Sequence, residues 1–249
     1  MPVLGVIPAR LGSSRLPRKP LLPLAGEPLV LWVTRRVAEI AVCDRLVVAT
    51  DAAEIAAVVR QAGFEAVLTS PDHASGTERV AEIIAKPGFG TFTQILNVQG
   101  DEPFVASDAV RGALACVERG DPIGTAAGSL DAALAPDPSR VKVVVDLRGH
   151  AVYFSRAPIP FDRDASGTVI YHQHVGVYAY TREALERWVR LPPVPAERWE
   201  RLEQLRPLLH GMSIGVTLYD GAPAPGIDTP ADLAWAEAAV TRHLKEVSP

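Results

Sequence analysis

Apolar residues in the first half of the chain follow two alternating patterns. Short continuous apolar runs predict buried strands at residues 3–7, 46–49, 65–69 and 95–98. Helical spacing of apolar residues, as at Val30, Val33, Val37 and Ile40, predicts helices from Leu29 onward and over 52–62, 77–85 and 108–118. Strands that alternate with helices predict right-handed βαβ units and a mostly parallel sheet, which is an α/β fold.

The second half contains fewer helical patterns. Strands are predicted at 141–145, 151–154, 174–180 and 212–219, and helices at 182–189 and 199–209. Part of the sheet should therefore be mixed. Residues 141–180 are expected to form a lobe inserted into a single domain that covers 1–249. Thr229, Pro230 and Asp232 predict a capped helix start.

A basic loop follows the first predicted strand. It carries Arg10, Arg15, Arg18 and Lys19 before the helix that starts near Leu29. The loop lacks the GK[ST] ending of a Walker A motif, and a single glycine, Gly12, excludes GxGxxG. Arginine can hold phosphate oxygens bidentately and lysine adds a point charge, so the loop predicts a phosphate site. The alternative is a solvated basic turn.

Two aspartates are candidates for a hard-cation site. Asp101 follows the apolar run 95–98, next to Gly100, and Asp228 precedes the predicted carboxyl-terminal helix. Mg²⁺ prefers a few carboxylate oxygens together with water and substrate phosphates. Each aspartate has a structural alternative as a turn or loop residue, and the local pattern alone leaves both interpretations open.

Composition narrows the class of protein. With 249 residues and 48% apolar residues, the chain can bury one substantial core, and no apolar run approaches the about 18 residues needed to span a bilayer. Pro8 and Arg10 interrupt any secretory apolar segment, so a cytoplasmic protein is expected. A net charge of −4 argues against general nucleic-acid binding, and two widely separated cysteines indicate neither a disulfide framework nor a zinc site.

The motifs resemble those of sugar nucleotidyltransferases, and most closely those of the CMP-Kdo synthetases (3-deoxy-manno-octulosonate cytidylyltransferases). PARxxSxRxPxKPL at the basic loop is followed in order by VVATD, SGTERVAE, NVQGDEPF, VKVVVD, YFSRAPIPFDRD, HVGVYAY, LEQLR and GIDTPADL. These motifs cover nearly the whole chain. The resemblance implies a Rossmann-like nucleotidyltransferase fold of the nucleotide-diphospho-sugar transferase type, with a small dimerisation lobe and a homodimer.

The resemblance also implies roles for individual residues. Asp101 and Asp228 would hold Mg²⁺, one ion bridging both aspartates to the sugar and another bridging Asp101 to the triphosphate. Arg10, Arg15 and Lys19 would hold the triphosphate and belong to the catalytic set. The other predicted nucleotide-binding residues are Pro8, Ala9, Ser75, Gly76, Thr77 and Arg79. A helix N-terminus capped by Ser75 or Thr77 is a compatible structural interpretation of this motif.

The acidic sugar would be bound by a second set of residues. They are Gln99, Arg156, His174, Tyr178, Glu203 and Gln204. A satisfied histidine at a strand edge is an alternative for His174, and a solvated helix face is one for Glu203. Three positions depart from the family pattern: Gln173 replaces a common Arg, Arg18 a frequent Gly, and Trp32 a frequent His.

The implied reaction joins CTP to a keto-acid sugar. The anomeric hydroxyl would attack the α-phosphate and release pyrophosphate, with no covalent enzyme intermediate. Alternatives are an 8-amino analogue or a sialic-type nine-carbon acid as the sugar, a dinucleotide-dependent oxidoreductase, which the missing GxGxxG disfavours, and a non-catalytic nucleotide-binding regulator.

Overall fold

The computed structural model describes residues 1–12 and 15–247, with side chains described as far as Thr241. Ser13 and Ser14 of the basic loop lie outside this part of the chain. The strands, in chain order, are β1 (Val3–Ala9), β2 (Pro23–Leu24), β3 (Glu27–Pro28), β4 (Arg45–Thr50), β5 (Glu65–Leu68), β6 (Gln94–Val98), β7 (Ile123–Leu130), β8 (Lys142–Val145), β9 (Ala151–Ser155), β10 (Tyr171–Thr181) and β11 (Ile214–Tyr219). The α-helices are α1 (Leu29–Ile40), α2 (Ala53–Gln61), α3 (Gly76–Ala85), α4 (Ser107–Glu118), α5 (Arg182–Trp188), α6 (Pro195–Glu200), α7 (Leu205–Leu209) and α8 (Pro230–Val247).

The chain divides into two compact units. Unit I comprises Leu4–Gly90, Asn97–Val105 and the chain from Pro225 onward. Unit II comprises Met1–Val3, Thr91–Leu96 and Ala106–Ala224. No helix within residues 1–12 and 15–247 is both long and apolar enough to cross a membrane.

Unit I contains the predicted βαβ arrangement. Strand β4 pairs in parallel with both β1 and β5. The predicted apolar stripe of α1 is confirmed, since Val30, Val33, Val37 and Ile40 are all buried. An apolar cluster joins Leu16 of the basic loop to Ile227 and to Ala236 of α8. This packing brings the two ends of the unit's sequence together around the loop.

The start of α8 has the predicted capping arrangement. Asp232 N–H donates to the Thr229 hydroxyl oxygen at 3.2 Å, and Thr229 N–H donates to the Asp232 carboxylate at 2.7 Å. Asp228 N–H donates to the same carboxylate at 3.1 Å. Because these bonds satisfy backbone donors at the helix start, they also fix the backbone of Asp228.

Unit II contains the mixed part of the sheet. Strand β7 pairs in parallel with β11 and antiparallel with β10. Strand β8 pairs antiparallel with β9. Buried Tyr178, Tyr180 and Trp188 pack with ring centroids 5.6 to 6.0 Å apart. The predicted mixed, mostly parallel sheet is confirmed.

Strand β7 was not predicted from the sequence, because IGTAAGSL lacks the large β-branched or aromatic residues that mark a strand. A Cβ on Gly124 would lie 2.1 Å from the Ala113 carbonyl oxygen of α4. The strand therefore needs small residues, because the helix backbone lies directly against it.

The prediction of one helix over 199–209 is wrong. Helix α6 ends at Glu200, Arg201 adopts a left-handed φ of 53°, and α7 starts at Leu205. Arg206 forms two hydrogen bonds to the Glu197 carboxylate, at 2.6 and 2.9 Å. These bonds hold the second helix against the first instead of letting it continue in line.

Candidate active site

The basic loop and the two candidate metal-binding aspartates meet in unit I. Lys19 Nζ donates to Asp101 Oδ2 at 2.7 Å and to Asp228 Oδ1 at 2.9 Å. Arg15 donates to the other Asp228 oxygen at 2.9 Å. The two carboxylates are therefore close enough to share one cation, although they lie far apart in the sequence.

Charge balance controls the protonation of this cluster. Burial alone would lower the pKa of Lys19, but the charges and hydrogen bonds of Asp101 and Asp228 outweigh it, and the pKa is raised. Burial alone would raise the pKa of the Asp228 carboxyl, yet Lys19 and Arg15 hold that pKa below its usual value. An ammonium between carboxylates is thus the stable arrangement at neutral pH.

Close backbone packing places Asp101 beside the first strand. A Cβ on Gly100 would lie 2.6 Å from the Pro8 carbonyl oxygen, so glycine allows this approach. Ile227 N–H donates to the Asp101 carbonyl oxygen at 2.9 Å. That bond ties the segment after β6 to the segment before α8, which carries Asp228.

The remaining cations of the loop are arranged differently. Arg18 pairs with Glu54 of α2. Its φ of 57° lies in the left-handed region, which glycine adopts more readily than arginine does. Arg10 directly follows β1 and is exposed, and no ion pair to it is found within the described residues.

Trp32, another departure from the family pattern, lies on α1. It packs on the apolar cluster of unit I, and its indole N–H donates to the Leu24 carbonyl oxygen at 2.7 Å.

The donor set suits a magnesium ion held jointly with a substrate. Among the described residues no cluster of three or more His, Cys, Asp or Glu side chains could hold a metal alone. Asp101 and Asp228 supply hard oxygen ligands around a position where a cation is already stable. Mg²⁺ is typically held by one or two carboxylates together with water and phosphate oxygens, so these residues fit it.

The SGTER motif forms the start of α3, near the end of β1. Ser75 caps the helix by accepting from Glu78 N–H at 3.2 Å, as predicted. A Cβ on Gly76 would lie 3.2 Å from both the Gln99 side-chain oxygen and Pro8 Cγ. Unit I therefore brings Pro8, Gly76 and Gln99 together. Thr77 is buried one position further along the helix.

Arg79, which is predicted to contact the nucleotide, is buried and surrounded by hydrogen-bond acceptors of the protein. Its side chain is 2% exposed and donates to Asp51 at 3.0 Å, to the Ser70 carbonyl oxygen at 3.2 Å, and to the Thr69 hydroxyl. A buried arginine with these partners holds the end of β4 and the loop after β5 against α3. Its structural role is therefore to support the SGTER helix.

Most of the predicted sugar-binding residues lie in unit II. The Arg156 guanidinium donates to the carbonyl oxygens of Glu200 at 2.7 Å and Pro138 at 2.7 Å. The Glu200 carboxylate accepts from Ser155 Oγ at 2.6 Å and from Arg156 N–H at 2.9 Å. These bonds connect the end of β9 to the turn that leads into LEQLR.

His174 and Tyr178 share one aromatic environment in β10. Their ring centroids are 5.3 Å apart, and Phe154 meets His174 edge-on at 5.1 Å. Burial lowers the pKa of His174 to about 3, so the ring is neutral at physiological pH. Burial, followed by the charges of Tyr180 and Glu203, raises the pKa of Tyr178 well above its usual value. Gln204, which follows Glu203 in the sequence, is also buried.

Comparisons with known proteins identify the family of the chain. A family model described as cytidylyltransferase matches residues 4–214. The chain belongs to the cytidylyltransferase family. A Gemmatimonas aurantiaca protein named 3-deoxy-manno-octulosonate cytidylyltransferase is 54% identical over 241 residues, which cover 95% of this chain and 93% of that protein.

Solved structures show the same fold. A CMP:2-keto-3-deoxy-manno-octonic acid synthetase complexed with CTP is 39% identical and matches with a TM-score of 0.91, covering 98% of this chain and all of that one (100%). A putative glucose-1-phosphate thymidylyltransferase from Bacillus anthracis, 18% identical over 95% of this chain and 94% of its own, matches with a TM-score of 0.66, which is a likeness of fold. The predicted nucleotidyltransferase fold and the resemblance to CMP-Kdo synthetases are both confirmed.

Sequence reasoning missed two residues of this cytidylyltransferase, one in contact with a predicted sugar-binding residue and one in contact with a position that departs from the family pattern. Thr125, in the unpredicted strand β7, bonds to His174 at 3.0 Å. Arg140 donates to the Gln173 side-chain oxygen at 2.8 Å, which brings a guanidinium to the position where the family commonly has an arginine. The residue exchange at Gln173 was the available signal for Arg140, whereas no local signal marks Thr125.

Proposed function

We propose that this cytidylyltransferase joins CTP to 3-deoxy-D-manno-octulosonate (Kdo), forming CMP-Kdo and pyrophosphate for lipopolysaccharide synthesis. The observation that carries the proposal is the shared contact of Asp101 and Asp228 with Lys19. It supports a site where two carboxylates meet phosphate-binding cations. The 54% identity to a relative named for this reaction favours Kdo as the sugar. An 8-amino analogue or a sialic-type acid is the alternative substrate.

In this proposal the side chains bind and orient the two substrates. Arg10, Arg15 and Lys19 hold the triphosphate and offset charge that builds on the leaving pyrophosphate. Asp101 and Asp228 hold Mg²⁺, which, when bound, supplies charge neutralisation and makes the sugar hydroxyl more acidic. The sugar oxygen forms a bond to the α-phosphorus as the bond from that phosphorus to the β-phosphate oxygen breaks, and the hydroxyl proton passes to solvent.

The remaining predicted site residues divide between the base and the sugar. Pro8, Ala9, Ser75, Gly76 and Thr77 are proposed to contact the nucleotide, with Arg79 supporting their helix from its buried position. The sugar is proposed to contact Gln99, Arg156, His174, Tyr178, Glu203 and Gln204. Because CTP is a cytoplasmic metabolite, we place the reaction in the cytoplasm.

Pyrophosphate release measured over a matrix of substrates tests this function. The nucleotides are CTP, UTP and ATP, and the sugars are Kdo, 8-amino-Kdo and N-acetylneuraminate, each with and without Mg²⁺. We expect release with CTP and Kdo in the presence of Mg²⁺. A preference for another sugar would overturn the Kdo assignment, and CTP binding without release for any sugar would favour a regulator.

We also propose that residues 141–180 form the predicted lobe and that it pairs two copies of the chain. Large apolar side chains are exposed there: Leu147, Phe161 and Ile170 are at 109%, 82% and 72% of full exposure. Leu147 and Ile170 also line a groove of about 420 Å³ together with Pro160, His172 and Leu218. A groove lined by exposed apolar side chains is typical of a protein interface.

The Phe161→Asp and Ile170→Asp double variant is expected to weaken dimerisation at least about a hundredfold, because each buried apolar side chain contributes about 1.5–3 kcal/mol. Sedimentation velocity over a concentration series measures this. Trp199→Asp is the matched control, since Trp199 is 83% exposed and lies outside the lobe. A wild-type protein that is monomeric at all concentrations would contradict the proposal.

A further inference from the structure

An irregularity in β10 lies next to the predicted sugar-site residues. His174 pairs with Ala127 and Tyr178 pairs with Thr125, so the register shifts between them. Four residue steps on β10 correspond to two on β7. Such bulges re-aim side chains and are common beside active sites. Here the bulge brings His174 within reach of the Thr125 side chain.

The hydrogen bonds of Thr125 fix the direction of its contact with His174. Thr125 Oγ1 lies 2.7 Å from the Val177 carbonyl oxygen and 3.0 Å from His174 Nε2. A carbonyl oxygen can only accept, so the single hydroxyl hydrogen of Thr125 goes to Val177. The hydroxyl oxygen must then accept from His174, and the ring hydrogen lies on Nε2.

The second ring nitrogen of His174 follows from the same reasoning. The ring is neutral, and its hydrogen is already placed on Nε2, so Nδ1 carries a lone pair. No hydrogen-bond partner for Nδ1 is found within the described part of the chain. Fully buried side-chain atoms without a partner do occur in that part, but Nδ1 is not one of them, so some of its surface is exposed. It is therefore accessible as a hydrogen-bond acceptor.

We propose that Thr125 is a positioning residue that holds His174 in this one tautomer, so that Nδ1 recognises a hydrogen-bond donor on the sugar. The inference rests on the proposed function. The partner of His174 is then a sugar hydroxyl, or the ammonium of an amino sugar, and not the sugar carboxylate. A carboxylate at Nδ1 would face a lone pair without a hydrogen between them.

The tautomer can be measured without substrates. Two-bond ¹H–¹⁵N spectra of ¹⁵N-histidine-labelled protein at neutral pH identify which ring nitrogen carries the hydrogen, with His174→Gln used for assignment. We expect hydrogen on Nε2 in the wild type and in Thr125→Ser, and a mixture of tautomers in Thr125→Val. Hydrogen on Nδ1, or a charged ring, in the wild-type protein would overturn the proposal even if Thr125→Val failed to fold.

Steady-state kinetics give the second measurement. Thr125→Val is expected to raise KM for the sugar about tenfold, as loss of an oriented hydrogen bond would, while KM for CTP changes less than about twofold. Thr125→Ser should restore the wild-type value. Thr217→Val is the matched control, because it removes a β11 hydroxyl that bonds to other groups of unit II, namely the Gly112 carbonyl oxygen at 2.9 Å and Cys116 at 3.4 Å.

The outcomes separate this inference from the proposed function. An unchanged sugar KM in Thr125→Val, with folding retained, would overturn the positioning role while leaving CTP-dependent turnover intact. Absence of turnover with every sugar would overturn the proposed function, yet the tautomer spectra would still decide whether Thr125 orients His174.

Discussion

Asp101→Asn is expected to reduce CTP-dependent pyrophosphate release by about a thousandfold or more, which corresponds to about 4 kcal/mol of lost transition-state stabilisation. The amide keeps the size of the side chain but removes the negative charge that a divalent cation requires. Asp101 is also one of two carboxylates in contact with Lys19, at 2.7 Å. Its replacement therefore removes half of the proposed metal-binding pair.

Asp44→Asn serves as the control for this variant. Asp44 is an exposed aspartate of unit I before β4, and its replacement should leave turnover unchanged. Thermal unfolding of both variants tests whether the fold is intact. An Asp101→Asn protein that folds and turns over at the wild-type rate would show that no essential cation binds there.

Lys19→Met is expected to have opposite effects on two measurements. The Lys19 ammonium lies between Asp101 and Asp228 and offsets part of their combined negative charge, so it competes with any other cation there. Its removal should tighten binding of Mn²⁺ to the nucleotide-free protein about tenfold, or about 1.4 kcal/mol. Turnover should fall about a hundredfold, because the triphosphate loses a cation that stabilises the leaving group.

Electron paramagnetic resonance of free Mn²⁺ measures the first effect without any enzymatic reaction. Lys86→Met is the control, since Lys86 pairs with Glu82 on α3 at 2.7 Å and not with the aspartate pair. Unchanged Mn²⁺ binding in Lys19→Met would mean that the ammonium does not mask the carboxylates. Turnover and Mn²⁺ binding are measured separately, so either expectation can fail alone.

The fold was predictable from sequence where its patterns are local. Helix α1 was predicted because its apolar side chains recur at helical spacing and face one core. Strand β7 was not, because its small residues reflect contact with α4, at a separation that no short window of sequence can detect. The break between α6 and α7 depends similarly on the contact between Arg206 and Glu197.

The candidate site divides in the same way. The amino-acid sequence by itself predicted the residues that we propose for catalysis and binding, because loops at strand ends place their motifs in short, recognisable segments. Only the tertiary structure decided that Lys19 contacts carboxylates 82 and 209 residues away and that Thr125 contacts a histidine 49 residues further along. Such contacts arise when distant segments pack together, and the local sequence around each residue does not indicate its partner.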